Sequence, residues 1–138
     1  MGWRTEPAPG APRSRSTELR AGPRTPAEAR SFLSEAIEDL DVDVDRAAAI
    51  LMISEVASNA ARHGKEPIHI SVSAEEEGFR VSVFDRGAGF DPEDLSFDGG
   101  LSVEPLAEGG WGLQVVHNLS SEWGVKRPDD GTEVWFRL

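Results

Sequence analysis

The hydrophobic positions change period several times along the chain. Phe32, Leu33, Ala36, Ile37 and Leu40 recur three and four positions apart, the spacing of one helix face. Thr25 can cap that helix, Pro26 suits its first turn, and Glu28 completes a capping box, so a helix is predicted over 25–40. The polar break DVDVD at 41–45 favours a second helix start, because acids complement a helix N-terminus. Gly64 is placed to stop the helix predicted over 43–63. The period then falls to two. Ile68, Ile70 and Val72 alternate with His69, Ser71 and Ser73. After a Glu-rich turn ending at Gly78, Phe79, Val81 and Val83 alternate again. This pattern predicts an antiparallel hairpin whose second strand ends at Asp85.

No period holds from 86 to 108, where Gly, Pro, Asp and Glu dominate. A stretch of that length within a compact domain is usually functional or mobile. A third helix is predicted over 111–121, a strand over 122–126, a turn at PDDG (128–131) and a closing strand over 132–138. A short first strand is predicted at 17–21. Helices interleaved with hairpins imply an α+β fold: a two-layer α/β sandwich with a mixed sheet and helices on one face.

Charge divides the chain unevenly. Over all 138 residues, 14 basic and 25 acidic side chains give a net charge of −11. Residues 1–26 carry +3 and five of the nine prolines, whereas residues 27–138 carry −14. Residues 1–16, MGWRTEPAPGAPRSRS, have too few apolar side chains to fold and are expected to be a disordered tail, with a domain over 17–138. The acidic body disfavours nucleic-acid and anionic-membrane partners, whose phosphates need clustered Lys and Arg. Apolar runs are too short for a membrane span, and the N-terminus lacks an apolar signal segment. The absence of Cys excludes disulfides, thiolate metal ligands and thiol catalysis. A cytoplasmic location is expected.

Three motifs stand out. The first, SEVASNAARHG, places Glu55 and Asn59 four apart on one helix face, with Arg62 close to it and an apolar arc opposite. The second, VSVFDRGAGF, ends a strand at Asp85 and follows it with Gly87 and Gly89, which permit close backbone approach to a ligand. The third, EGGWGLQVV, gathers Gly109, Gly110 and Gly112 at a helix start, where free N–H groups can cradle an anion. Each motif alone has an ordinary reading: a solvated helix face, a turn, a hinge.

In this order and spacing the three together resemble the N, G1 and G2 boxes of the Bergerat-fold (GHKL) ATPases. The E-x-x-x-N-A-x-x-H-G form and the ending SEWGV…DGTEVWFRL are most similar to the stand-alone anti-sigma-factor serine/threonine-protein kinases of actinobacterial type. The resemblance spans about 17–138. It implies a histidine-kinase-like ATP-binding domain with ATP and Mg²⁺ as cofactors. It further implies Glu55 as general base and Asn59 as an oxygen ligand to Mg²⁺. Asp85 would accept a hydrogen bond from the adenine amino group, with Gly87, Gly89, Gly109, Gly110, Gly112, Leu113 and Thr132 completing the nucleotide site. It implies partner switching: phosphorylation of an anti-anti-sigma factor, sequestration of a sigma factor, and a homodimer, the form common among those kinases. One feature departs from the pattern. No Lys or Arg occurs from Gly87 to Val125, where the family places an arginine that reaches the γ-phosphate. The alternative is a nucleotide-binding module that docks a regulatory protein without catalysis.

Overall fold

The computed structural model describes residues 13–87 and 111–138. Five strands and three helices follow in the order β1 (Arg13–Leu19), α1 (Thr25–Leu40), α2 (Arg46–His63), β2 (Ile68–Glu75), β3 (Gly78–Asp85), α3 (Trp111–Leu119), β4 (Glu122–Lys126) and β5 (Thr132–Arg137). The fold is α+β. The sheet order is β1-β2-β3-β5-β4, and every neighbouring pair is antiparallel. The expected mixed sheet is thus corrected. The reason is topological. The chain leaves β3 and returns through α3 into β4, which runs in the same direction as β3. The turn before β5 then folds the last strand back into the position between them.

Alternation sorts the strand residues between two faces. Ile70, Val83 and Val134 stand in one cross-strand row, and Val72, Val81 and Phe136 in the next. All six are buried against the helices, with Ala29, Leu33, Ala36, Met52, Ile53, Val56 and Val116 closing the core from the other layer. The opposite sheet face is polar and aromatic. There Trp135 lies against Gly124, with the Arg80 guanidinium 4.7 Å from its ring centre.

Helix limits agree with the pattern to within a few residues, and the exceptions have identifiable causes. Thr25 is not a cap. Its buried hydroxyl turns back into the preceding turn, donating to the Arg20 carbonyl (2.7 Å) and accepting from the Gly22 N–H (2.9 Å). α2 starts at Arg46 because the Asp45 carboxylate accepts the Ala48 N–H at 3.1 Å, a true N-cap. β1 begins at Arg13, inside the stretch expected to be disordered, and ends at Leu19. Its inward positions include Arg13 and Arg15 rather than apolar residues. Arg13 donates to the Leu40 carbonyl and Arg15 pairs with Asp39, so both cations meet the C-terminal end of α1. That end carries no basic residue of its own, and positive charge there complements the helix dipole. Residues 1–12 of the expected tail, and 88–108 of the aperiodic stretch, lie outside the described residues.

Burial sets the expected cost of truncation. Leu33 is fully buried, whereas Leu51 on α2 is 45% exposed. Leu33→Ala is expected to cost about 2–5 kcal/mol and Leu51→Ala less than about 0.5 kcal/mol, read by urea or thermal unfolding.

Candidate functional site

α2 has to serve two environments. Ala49, Met52, Ile53, Val56, Ala57 and Ala60 are buried in the core. Glu55 and Asn59, one turn apart, lie half-buried beside that stripe, partly desolvated yet reachable from outside. Arg62 and His63 are exposed on the last turn. A carboxylate, an amide and a guanidinium are therefore carried on one rigid element, within about two turns.

The end of α2 meets the end of β3. Asp85 closes β3 and is only 8% exposed. Its Oδ1 accepts the Gly87 N–H at 2.6 Å, and the Lys65 N–H, just past α2, also donates to the carboxylate. Burial pushes the Asp85 carboxyl above the ordinary carboxylate range, and these two donors offset part of that rise. Thr132 is paired directly across from Asp85, is buried, and donates its hydroxyl to the Gly87 carbonyl at 3.1 Å. The Arg86 N–H donates to the Lys65 carbonyl at 2.9 Å, tying the two chain segments together.

Backbone packs closely around Asp85. A Cβ on Gly87 would stand 2.8 Å from the Gly64 Cα and 2.9 Å from Asp85 Oδ1. A Cβ on Gly131 would collide with the Asp85 backbone oxygen and stand 2.6 Å from the Phe84 ring. A buried carboxylate held only by backbone N–H groups keeps lone pairs that can accept a further hydrogen bond from a ligand.

Of the residues singled out in the sequence, Asp85, Gly87 and Thr132 form one cluster. Glu55 and Asn59 stand on the helix that abuts it, Asn59 about 7–8 Å along the axis from Gly64. Gly112 lies in the first turn of α3, and Leu113 next to it is buried in the core. Gly89, Gly109 and Gly110 lie outside the described residues. Gly64, Lys65 and Gly131 also contribute. The sequence assigns Gly64 a helix stop and Gly131 a turn, and Lys65 takes part through its backbone alone. The His-Gly pair that closes the first motif is the signal that points to Gly64.

Residues 19–138 match the family model for the histidine kinase-like ATPase domain. The chain belongs to the histidine kinase-like ATPase family. Solved structures with this fold include the RsbU and RsbW domains of Rv1364c from Mycobacterium tuberculosis. That match has 24% identity and a TM-score of 0.63 over 89% of this chain and 31% of that one. Full-length ShkA in complex with AMPPNP is similar at 20% identity and a TM-score of 0.55, over 87% of this chain and 30% of that one. The catalytic domain of the histidine kinase ThkA matches at 17% identity and a TM-score of 0.55, over 90% of this chain and 96% of that domain. This histidine kinase-like ATPase chain thus spans under a third of the Rv1364c and ShkA chains but nearly the whole ThkA catalytic domain. No curated protein matches it. Among the described residues, no helix is long and apolar enough to cross a membrane.

The raised carboxyl at Asp85 has a thermodynamic sign. A carboxyl that ionises less readily in the fold than in the unfolded chain destabilises the fold as pH rises above the ordinary carboxylate value. Asp85→Asn removes that charge and retains an acceptor for the Gly87 N–H. Without nucleotide, the variant is expected to melt a few degrees above the parent at pH 7, with the difference shrinking below about pH 4. Calorimetry across pH reads this, and an Asp85→Asn variant less stable than the parent at pH 7 would contradict it.

Proposed function

We propose that this histidine kinase-like ATPase chain binds Mg·ATP and phosphorylates a serine or threonine of a small regulatory protein, an anti-anti-sigma factor. In the same cycle it would sequester a sigma factor. The observation that carries the proposal is the buried Asp85 carboxylate in its glycine-walled niche, at the end of the helix that bears Glu55 and Asn59. ATP, when bound, supplies a transferable phosphoryl group, and Mg²⁺ screens its charge.

The chain's own residues have separable tasks. Asp85 accepts a hydrogen bond from the adenine amine and repels a guanine, which presents a carbonyl acceptor at that edge. Thr132 holds the Gly87 carbonyl and so fixes the wall against which the base lies. Asn59 offers an amide oxygen to Mg²⁺. Phosphate oxygens and water would supply the other ligands of that ion. Glu55 takes the proton from the partner's hydroxyl as that oxygen forms its bond to phosphorus, while ADP departs. Arg62, exposed one turn beyond Asn59, is the cation on this helix able to supplement Mg²⁺. Arg86 is engaged elsewhere, paired with Asp130 at 2.8 Å and lying over Phe84.

A second reading has a specific observation in its favour. The run from Gly87 to Val125 holds no Lys or Arg but six acids between 91 and 108, a segment that repels phosphate. On this reading the domain binds a protein partner and transfers nothing.

Calorimetric titration and a γ-phosphate transfer assay separate the two. The parent is expected to bind Mg·ATP more tightly than about 0.1 mM, or roughly 5.5 kcal/mol. Asp85→Ala should weaken this at least tenfold, and Mg·GTP should bind at least tenfold more weakly than Mg·ATP. Affinity should also fall as pH drops into the raised titration range of Asp85, where its carboxyl takes up a proton. Glu55→Ala should bind Mg·ATP normally yet transfer at least a hundredfold more slowly to an anti-anti-sigma protein. Partner binding that is indifferent to nucleotide, with no transfer by the parent, would favour the docking reading.

A further inference from the structure

We infer that Gly64 is a positioning residue: its missing side chain leaves room for the Asp85 carboxyl, so that the C-terminus of α2 sets where that carboxyl sits. Four observations carry this. First, a Cβ built on Gly64 would overlap both Cγ and Oδ1 of Asp85. Second, Gly64 has φ −95° and ψ −164°, an extended conformation open to any residue. Glycine is therefore required there by contact and not by backbone strain. Third, the approach is held from both sides. The Gly64 N–H still donates to the Ala60 carbonyl at 2.9 Å, and the Arg86 N–H donates to the Lys65 carbonyl at 2.9 Å. Neither chain can retreat without losing a bond. Fourth, Gly87, which donates its N–H to the Asp85 carboxyl, also crowds Gly64: a Cβ on Gly87 would stand 2.8 Å from the Gly64 Cα.

The consequence concerns the geometry of the whole site. α2 carries Glu55 and Asn59, and through Gly64 the same helix fixes Asp85. The two ends of a bound nucleotide would then be registered by one element, not by two that move independently. This step rests on the proposed role of Asp85 toward adenine; the steric claim itself does not.

A double-mutant cycle on the full chain decides it, with Gly64→Ala, Asp85→Ala and the pair. The alanine at 85 vacates the space that the new Cβ needs. Gly64→Ala alone is expected to lower the melting temperature by several degrees, and to cost less than half as much in the Asp85→Ala background. The remaining cost reflects the Ala60 carbonyl, which stands 2.7 Å from that Cβ in either background. If Gly64→Ala alone does not fold, recovery of folded protein on adding Asp85→Ala supports the inference equally. Equal costs in both backgrounds, or a double variant that fails to fold while Asp85→Ala folds, would overturn it.

A second measurement moves only if the carboxyl is displaced. Gly64→Ala should weaken Mg·ATP at least tenfold while changing the affinity for magnesium tripolyphosphate less than twofold. Equal losses for both ligands would mean general damage to the site and would count against positioning. Should the parent bind neither ligand, the proposed function fails, while the stability cycle still decides the role of Gly64.

Discussion

The C-terminal turn of α2 and the last residue of β3 are packed so closely that only glycine fits between them. Much else in the molecule follows from that contact. The core face of α2 holds the helix on the sheet, and the helix axis then runs its final turn into Asp85. The carboxylate stays buried against Gly64 and Gly87, which approach it as backbone, with Thr132 paired across from it. Backbone N–H groups are the natural partners for a carboxylate in such a niche, since they add no bulk.

This arrangement sets stability against use. A carboxylate removed from water costs folding free energy unless it is fully bonded, and Asp85 lies on the unfavourable side of that balance. Its lone pairs are not all consumed by Gly87 and Lys65, so acceptor capacity is left for a ligand. A polar group kept partly unsatisfied inside a glycine-walled space is the usual mark of a binding site, where local strain is tolerated because the surrounding core is well packed. Here the core rows Ile70–Val83–Val134 and Val72–Val81–Phe136 provide that packing.

The helices and the hairpin were legible in the sequence because their apolar residues repeat at clean periods of 3.6 and 2. β1 was harder to place because its inward positions include arginines, whose purpose is visible only once the end of α1 lies over them. Thr25 reads as a cap by local rules but turns toward Arg20 and Gly22, a preference set by tertiary burial. The antiparallel sheet was hidden for a related reason: strand direction depends on which strand enters the gap beside β3, and no local pattern encodes that. In the site, Glu55, Asn59 and Asp85 stood out through their motif spacing. The deeper requirement at Gly64 involves a residue 21 positions away. Lys65 acts through its main chain, which leaves no trace in residue identity.

The sheet order has a consequence for how the chain comes together. β5 follows β4 in sequence but sits between β3 and β4. During vectorial synthesis β3 therefore presents an open hydrogen-bonding edge until β5 emerges, and Asp85 lacks its Thr132 neighbour for the same interval. Pairing of such sequence-distant strands is slow compared with closing a helix or hairpin. An exposed strand edge is also a template for pairing with the wrong chain. The nascent domain is thus most vulnerable to aggregation just before its last strand docks, and the seating of that strand completes the sheet and the niche in one event.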